Sequence, residues 1–170
     1  MKYPKAWIDY LIFFHTDRDY FECHEVLEEH WKNTGMKGDC WPGLIQIAVA
    51  LYHQRRGNMN GSKRMITSAI QKLEKERKTL LDLGIEVDPF FEQLEKRKRE
   101  IHENSKYEPF TLPLAAAIRD ICKREALKTG KEWDTKKDPD DQIIHKHRVR
   151  DRSSVIEERQ KQKSQKNRIL

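Results

Sequence analysis

Tyr20-Phe21-Glu22-Cys23-His24-Glu25-Val26-Leu27-Glu28-Glu29-His30-Trp31 is the stretch whose pattern decides the fold. Wound at about 100° per residue, it gathers Cys23, Leu27, Tyr20, Trp31, His24, Glu28 and Phe21 on one face. Glu22 and Glu29 point the other way and Glu25 sits at the edge. The spacing predicts an amphipathic helix over residues 20–33, capped by Asp17 or Asp19 and ended near Gly35.

The same period runs outward in both directions. Residues 4–14 read as a short first helix. Trp41-Pro42 opens a third helix, with proline acceptable in the first turn, and Gly57-Asn58 closes it. Its middle, Leu44-Ile45-Gln46-Ile47-Ala48-Val49-Ala50-Leu51-Tyr52-His53, is apolar nearly all round, as befits a central, enclosed helix. A fourth helix is predicted over residues 62–83, with Ile66, Ile70, Leu73, Arg77 and Leu80 as its stripe and Gly84 as its stop. Asp88-Pro89 starts a fifth that carries Phe90, Phe91, Leu94 and Ile101, and residues 115–128 form a sixth. Residues 109–113, bounded by prolines, are extended. No segment alternates as a strand should. The expected fold is all-α, a compact bundle of five to six helices.

Charge is unevenly spread. The 170 residues hold 34 Lys+Arg and 28 Asp+Glu, a formal +6, and the mean hydropathy is −0.94. Residues 131–170 contain 12 basic, 8 acidic and only 8 hydrophobic residues, so +4 belongs to this stretch. It offers too little apolar surface to offset the entropy of ordering it. We therefore expect a helical domain over residues 1–130 and a charged, flexible or partly helical basic tail over 131–170, where Ser154 and Glu157 could cap a short helix.

No run reaches the roughly 18 apolar residues of a membrane span, and residues 7–14 lack a secretory pattern. Three cysteines, Cys23, Cys40 and Cys122, form no CxxC pair, which points to reduced thiols and a cytoplasmic protein.

Two polar residues one turn apart, His24 and Glu28, occupy the face that should be buried, and a buried carboxylate needs a partner. The simplest partner for Glu28 is His24. Gln46 and His53, seven residues apart, share a face of the apolar third helix, and Arg56 lies at its end. If the second and third helices pack antiparallel, His24, Glu28, Gln46, His53 and Arg56 converge, with Trp31 as a wall. Such a cluster can be a satisfied hydrogen-bond network that fixes packing, a ligand pocket, or an acid–base pair.

Other chemistry finds little support. His24-Glu25-x-x-Glu28 lacks the second histidine of a zinc-protease helix, and no Glu precedes His24 or His30 by three residues as in di-iron bundles. No metal, cofactor or catalytic residue is assigned. No Ser or Cys sits in a nucleophile motif, and Gly57-Asn58-Met59-Asn60-Gly61 lacks the Lys-Ser/Thr ending of a phosphate loop.

Tyr20-Phe21-Glu22-x-His24-Glu25-Val26-Leu27-Glu28-x-x-Trp31, then Gly43-Leu44-Ile45-Gln46-x-Ala48-x-Ala50-Leu51-Tyr52-His53 and Gly57-Asn58, resembles domain-of-unknown-function family 309. The likeness covers roughly residues 8–80. It implies a compact helical domain of small bacterial and archaeal proteins, without an established activity, whose polar motif falls on His24, Glu25, Glu28, Gln46 and His53. Cys23 stands where a small residue such as Ala is expected, and the tail lies outside the likeness.

The sequence leans away from an enzyme. Its leading expectation is a binding or interaction module for a small molecule or protein, with His24, Glu25, Glu28, Trp31, Gln46, His53 and Arg56 as pocket or network residues. The first alternative is a small-molecule enzyme with His24 and Glu28 as its acid–base pair. The second is nonspecific association with nucleic acid, or with an acidic partner, through Lys146, Arg148, Arg150 and Arg152.

Overall fold

The computed structural model describes residues 3–137 and 139–149. Its helices are α1 (Lys5–His15), α2 (Tyr20–Asn33), α3 (Cys40–Arg55), α4 (Met59–Glu74), α5 (Arg77–Asp82), α6 (Val87–His102) and α7 (Ala116–Lys128). Two single turns, α8 (Asp141–Ile144) and α9 (Lys146–Val149), follow. The six helices of 11 or more residues match the expected bundle. Among the described residues there is no strand; Ile85 and Leu114 form one isolated antiparallel bridge. No helix among them is long and apolar enough to cross a membrane.

Local chemistry sets the ends. Of the two candidate caps for α2, Asp19 serves, its carboxylate accepting from the Glu22 N–H at 3.1 Å. Asn58 caps α4 in the same way, accepting from the Gly61 N–H at 3.1 Å, so that helix begins at Met59 and not at Ser62. Ser62 instead lies inside it, buried, donating to the Ala50 carbonyl at 2.7 Å.

The single fourth helix expected over residues 62–83 is two, α4 and α5, broken at Lys75-Glu76. The Glu76 carboxylate turns aside to accept the Asp39 N–H at 2.9 Å and so ties the break to the start of α3. The break lets Leu73 and Leu80 both reach the core. Arg77, expected in the apolar stripe, lies on the surface over the Phe91 ring, 4.3 Å from its centroid, and pairs with Glu74 at 3.0 Å. Gly84 ends α5 with φ +85°, and a Cβ there would fall 2.7 Å from Ile118 Cγ2, so glycine is required on both counts.

At the centre, α3 packs between α2 and α4 and is buried on all sides through Leu44, Ile45, Ile47, Ala48, Ala50 and Leu51. Gly43 admits α4 closely: a Cβ there would meet Leu73 Cγ at 2.6 Å. Across the core, Tyr10 Oη donates to the Leu44 carbonyl at 2.7 Å and Trp7 Nε1 to that of Leu83 at 2.9 Å. All three cysteines are buried free thiols. Burial pushes Cys23 well up and Cys40 and Cys122 to about 12, which leaves them packing groups without nucleophilic character.

Two buried polar residues fasten the chain beyond Gly130. Arg18, 1% exposed and at φ 53°, donates to the carbonyls of Phe110 (2.5 Å) and Thr135 (2.9 Å) and pairs with Asp134 at 3.0 Å. His15 bonds the Leu11 carbonyl through Nδ1 at 2.8 Å, accepts the Leu112 N–H at Nε2 at 3.0 Å, and stacks on Trp133 at 4.5 Å. Lys131 pairs with Asp17 at 2.9 Å and Lys146 with Asp19 at 2.8 Å. Within the stretch set apart by composition, Lys131, Trp133, Asp134, Thr135, Lys146 and His147 thus lie against α1, α2 and α3 or the turn between α1 and α2. Ser154 and Glu157 lie outside the described residues.

Candidate functional site

The helical spacing of α2 delivers its polar residues as a row. His24 Nε2 is 2.6 Å from Glu28 Oε2, and Lys32, one turn further, reaches Glu28 Oε1 at 3.2 Å. Glu25 flanks His24 Nδ1 at 3.6 Å. The His24 and Glu28 side chains are 15% and 17% exposed, and that of Lys32 is 32%, so the row reaches the surface at its edge. Burial acts to raise the Glu28 carboxyl, but the His24 hydrogen bond and the His24 and Lys32 charges outweigh it and hold it at about 2. Trp31 continues the row, 9% exposed, with its indole Nε1 sheltered and without a hydrogen-bond partner.

The third helix supplies Gln46, 2% exposed, and at its far end His53 and Arg56. His53 faces the start of α4: its Nδ1 is 3.3 Å from the Asn58 amide nitrogen. Burial, then the Arg56 and Arg64 charges, lower it to about 4, so it is neutral at neutral pH. Arg56 lies over the Tyr52 ring at 5.2 Å and approaches His147 Nε2 at 2.9 Å. Phe21 stands between the two groups, its ring 6.3 Å from His24 and 6.2 Å from Tyr52. Five of the predicted residues thus form a strip along α2 and α3, with His24, Glu25 and Glu28 on one side of Phe21 and His53 and Arg56 on the other, while Gln46 is buried within α3.

Sequence reasoning missed Lys32, Phe21 and Tyr52. Lys32 was legible, since Glu28 and Lys32 stand in the i,i+4 order that pairs well on a helix. The contacts of Lys146 and His147 had no local signal, because they join residues about a hundred positions apart. Of the four tail cations, Lys146 is held by Asp19 and Glu22, at 2.8 and 3.0 Å. The side chain of Arg148, and Arg150 and Arg152, lie outside the described residues. Among the described residues no three His, Cys, Asp or Glu are grouped to hold a metal ion. A groove of about 610 Å³ opens elsewhere, lined by Glu86, Gln93, Arg119, Lys123 and Trp133 among others, and none of the predicted residues lines it.

The family model described as Domain of unknown function (DUF309) matches residues 7–65, a span holding all seven candidate residues. The "Uncharacterized protein YpuF" of Bacillus subtilis (strain 168) is 42% identical over 164 residues, covering 94% of each chain. The chain belongs to the DUF309 family. An "Uncharacterized protein" of Aquifex aeolicus (strain VF5) is 36% identical over 55 residues, 31% of this chain and 16% of that one. No solved structure matches. The DUF309 match begins in α1 and ends within α4, so it takes in the central helix and both flanking ones.

Proposed function

We propose that this DUF309 protein is a binding module whose contact face is the strip along α2 and α3. Its occupant is a small molecule or protein segment that presents a phosphate or carboxylate to Arg56. The observation that carries this reading is an imbalance of charge along the strip. Around Glu28 each cation has its acid, whereas Arg55, Arg56 and Arg64 pair with no carboxylate among the described residues. A neutral His53 beside Arg56 adds a hydrogen-bonding group that does not compete for the anion. The Glu28 carboxylate is a fixed charge that, with His24 and Lys32 beside it, holds the α2 side in shape.

Acid–base catalysis by the same pair is less well supported. A general base works best with a pKa near the working pH, and a carboxyl held at about 2 is a weak proton acceptor. Nucleic-acid association through the tail loses one of its cations, because Lys146 is already neutralised by two carboxylates. Buried free thiols are in keeping with the cytoplasm as the setting.

Titration with inorganic phosphate and with citrate, followed by backbone amide NMR shifts, tests the reading. Saturable shifts at His53, Arg56 and Asn58 are expected, weakened at least fivefold in Arg56→Ala and impaired in Glu28→Ala while both variants stay folded. Shifts that gather at Arg119 and Lys123 instead, or an unchanged affinity in Arg56→Ala, would overturn it. Loss of folding in Glu28→Ala with no change in affinity for the folded fraction would assign the pair a packing role.

A further inference from the structure

We infer that the groove bordered by α6, α7 and residues 111–114 binds a small aromatic zwitterion, of the class of a free aromatic amino acid. Arg119 and Lys123 take its carboxylate, Glu86 its ammonium, and Trp133 packs against its ring. The groove shares no residue with the strip along α2 and α3, so the inference does not rest on the reading above.

About 610 Å³ of space lies within the roughly 300–1,000 Å³ of small-ligand sites. One border is the extended stretch 111–114, which is fixed from two sides. His15 Nε2 accepts the Leu112 N–H at 3.0 Å, and the Glu86 N–H donates to the Pro113 carbonyl at 2.8 Å. Trp133 is set in advance too. Its indole lies on the His15 imidazole, with centroids 4.5 Å apart and planes at 28°, and His15 is itself held by the Leu11 carbonyl. A flat wall fixed before the ligand arrives adds little ordering cost to binding.

The polar groups around that wall ask for a ligand of both signs. Arg119 and Lys123 stand one turn apart on α7, a spacing at which like charges destabilise each other. Both are exposed, and neither pairs with a carboxylate among the described residues; Arg119 Nη1 has only the Leu114 carbonyl, at 3.5 Å. Glu86, just ahead of α6, makes no capping bond to that helix and pairs with no cation among the described residues. Gln93, two turns further along α6, leaves its side-chain amide unbonded among them as well. The other acid of the lining, Asp134, is already engaged by Arg18 at 3.0 Å, Thr111 at 2.5 Å and Lys136 at 3.2 Å. One groove therefore carries open charges of both signs that do not reach each other. A plain anion would face Glu86, and a plain cation would face Arg119 and Lys123. A ligand with a carboxylate and an ammonium answers both, and its ring has the indole to pack on.

NMR titration of the full chain with L-phenylalanine, with hydrocinnamate, which lacks the ammonium, and with phenethylamine, which lacks the carboxylate, tests this. L-Phenylalanine should give saturable shifts at the Trp133 indole N–H, the Gln93 side-chain amide and the Arg119 Nε–H. It should bind about tenfold more tightly than either analogue, the effect of one charge-assisted hydrogen bond. Arg119→Gln should weaken L-phenylalanine and hydrocinnamate and leave phenethylamine unchanged. Glu86→Gln should weaken L-phenylalanine and phenethylamine and leave hydrocinnamate no weaker. Misfolding cannot produce that crossed pattern. Absence of saturable shifts at Trp133 overturns the inference, and so does equal affinity for L-phenylalanine and hydrocinnamate, which would leave Glu86 without a part. Shifts at His53 and Arg56 in place of those at Trp133 overturn it as well. Phosphate and citrate read the strip separately, so either idea can fail while the other stands.

Discussion

His24 Nε2 lies 2.6 Å from Glu28 Oε2, one helical turn along α2, and the same carboxylate receives Lys32 at 3.2 Å on its other oxygen. Its folded-state pKa, about 2, is below the ordinary 4.5. A lowered carboxyl contributes stability that is present above the unfolded value and is lost as pH falls from about 4.5 towards 2. Glu28→Gln should therefore lower stability at pH 7 by about 0.5–1 kcal/mol, as for partly exposed pairs, and flatten the acid limb. Urea unfolding at pH 7 and pH 3 checks this; parallel losses in wild type and variant at pH 3 would refute it.

His15 works in the opposite chemical sense and gives the same acid sensitivity. Burial lowers it from 6.5 to about 3, because the ring must keep Nε2 unprotonated to accept the Leu112 N–H. The unfolded chain binds a proton near pH 6.5 that the folded chain refuses, so stability drops as pH falls from 6.5 towards 3. His53, lowered to about 4, adds to the upper part of that window. His15→Phe should cost about 1–3 kcal/mol at pH 7, the penalty of an orphaned buried donor, yet show a shallower slope between pH 6.5 and 3. Nitrogen shifts at pH 5 should report the tautomer with its proton on Nδ1.

Removing the Arg18 head group would strand the Phe110 and Thr135 carbonyls, while Asp134 keeps Thr111 at 2.5 Å and Lys136 at 3.2 Å. Arg18→Met is expected to destabilise by about 1–3 kcal/mol, the penalty of buried acceptors left without their donor. Asp134→Asn, which keeps an acceptor for the guanidinium, should cost clearly less. Thermal melts of the two variants give the comparison, and equal losses would mean that the carboxylate, not the carbonyls, carries the joint.

Gly43→Ala probes the closest approach of α3 and α4. The added methyl would meet Leu73 Cγ and Cδ2 at 2.6 Å, inside a packed core. A loss of about 1–3 kcal/mol is expected, the usual penalty of overpacking. A neutral outcome in denaturant titration would mean that Leu73 has a second rotamer to move into.

Much of this architecture was legible because its signals are local. Period and caps place α2 within residues 20–33, and the Gly57-Asn58 pair marks the end of α3, although Asn58 also caps α4, which starts three residues earlier than expected. The break at Lys75-Glu76 was not legible, since its cause is a bond from Glu76 to Asp39 on another helix. Arg77 fell on the apolar stripe by count alone, and the break turned it outward. The polar strip was half legible in the same sense. His24, Glu28 and Lys32 follow from one helix's spacing, whereas His53 meets Asn58, not His24, because the turn after α3 brings α4 back against it. Nothing in the composition of residues 131–147 announces Arg18 as their anchor. That residue lies more than a hundred positions away.

The three cysteines give the molecule a set of internal clocks. Cys23 donates to the Tyr10 carbonyl beneath α1, Cys40 opens α3, and Cys122 lies inside α7, all sheltered from solvent. An alkylating reagent can reach each sulfur only when its own surroundings part. The order in which the three are labelled would chart which region of the bundle breathes first, with no foreign probe introduced.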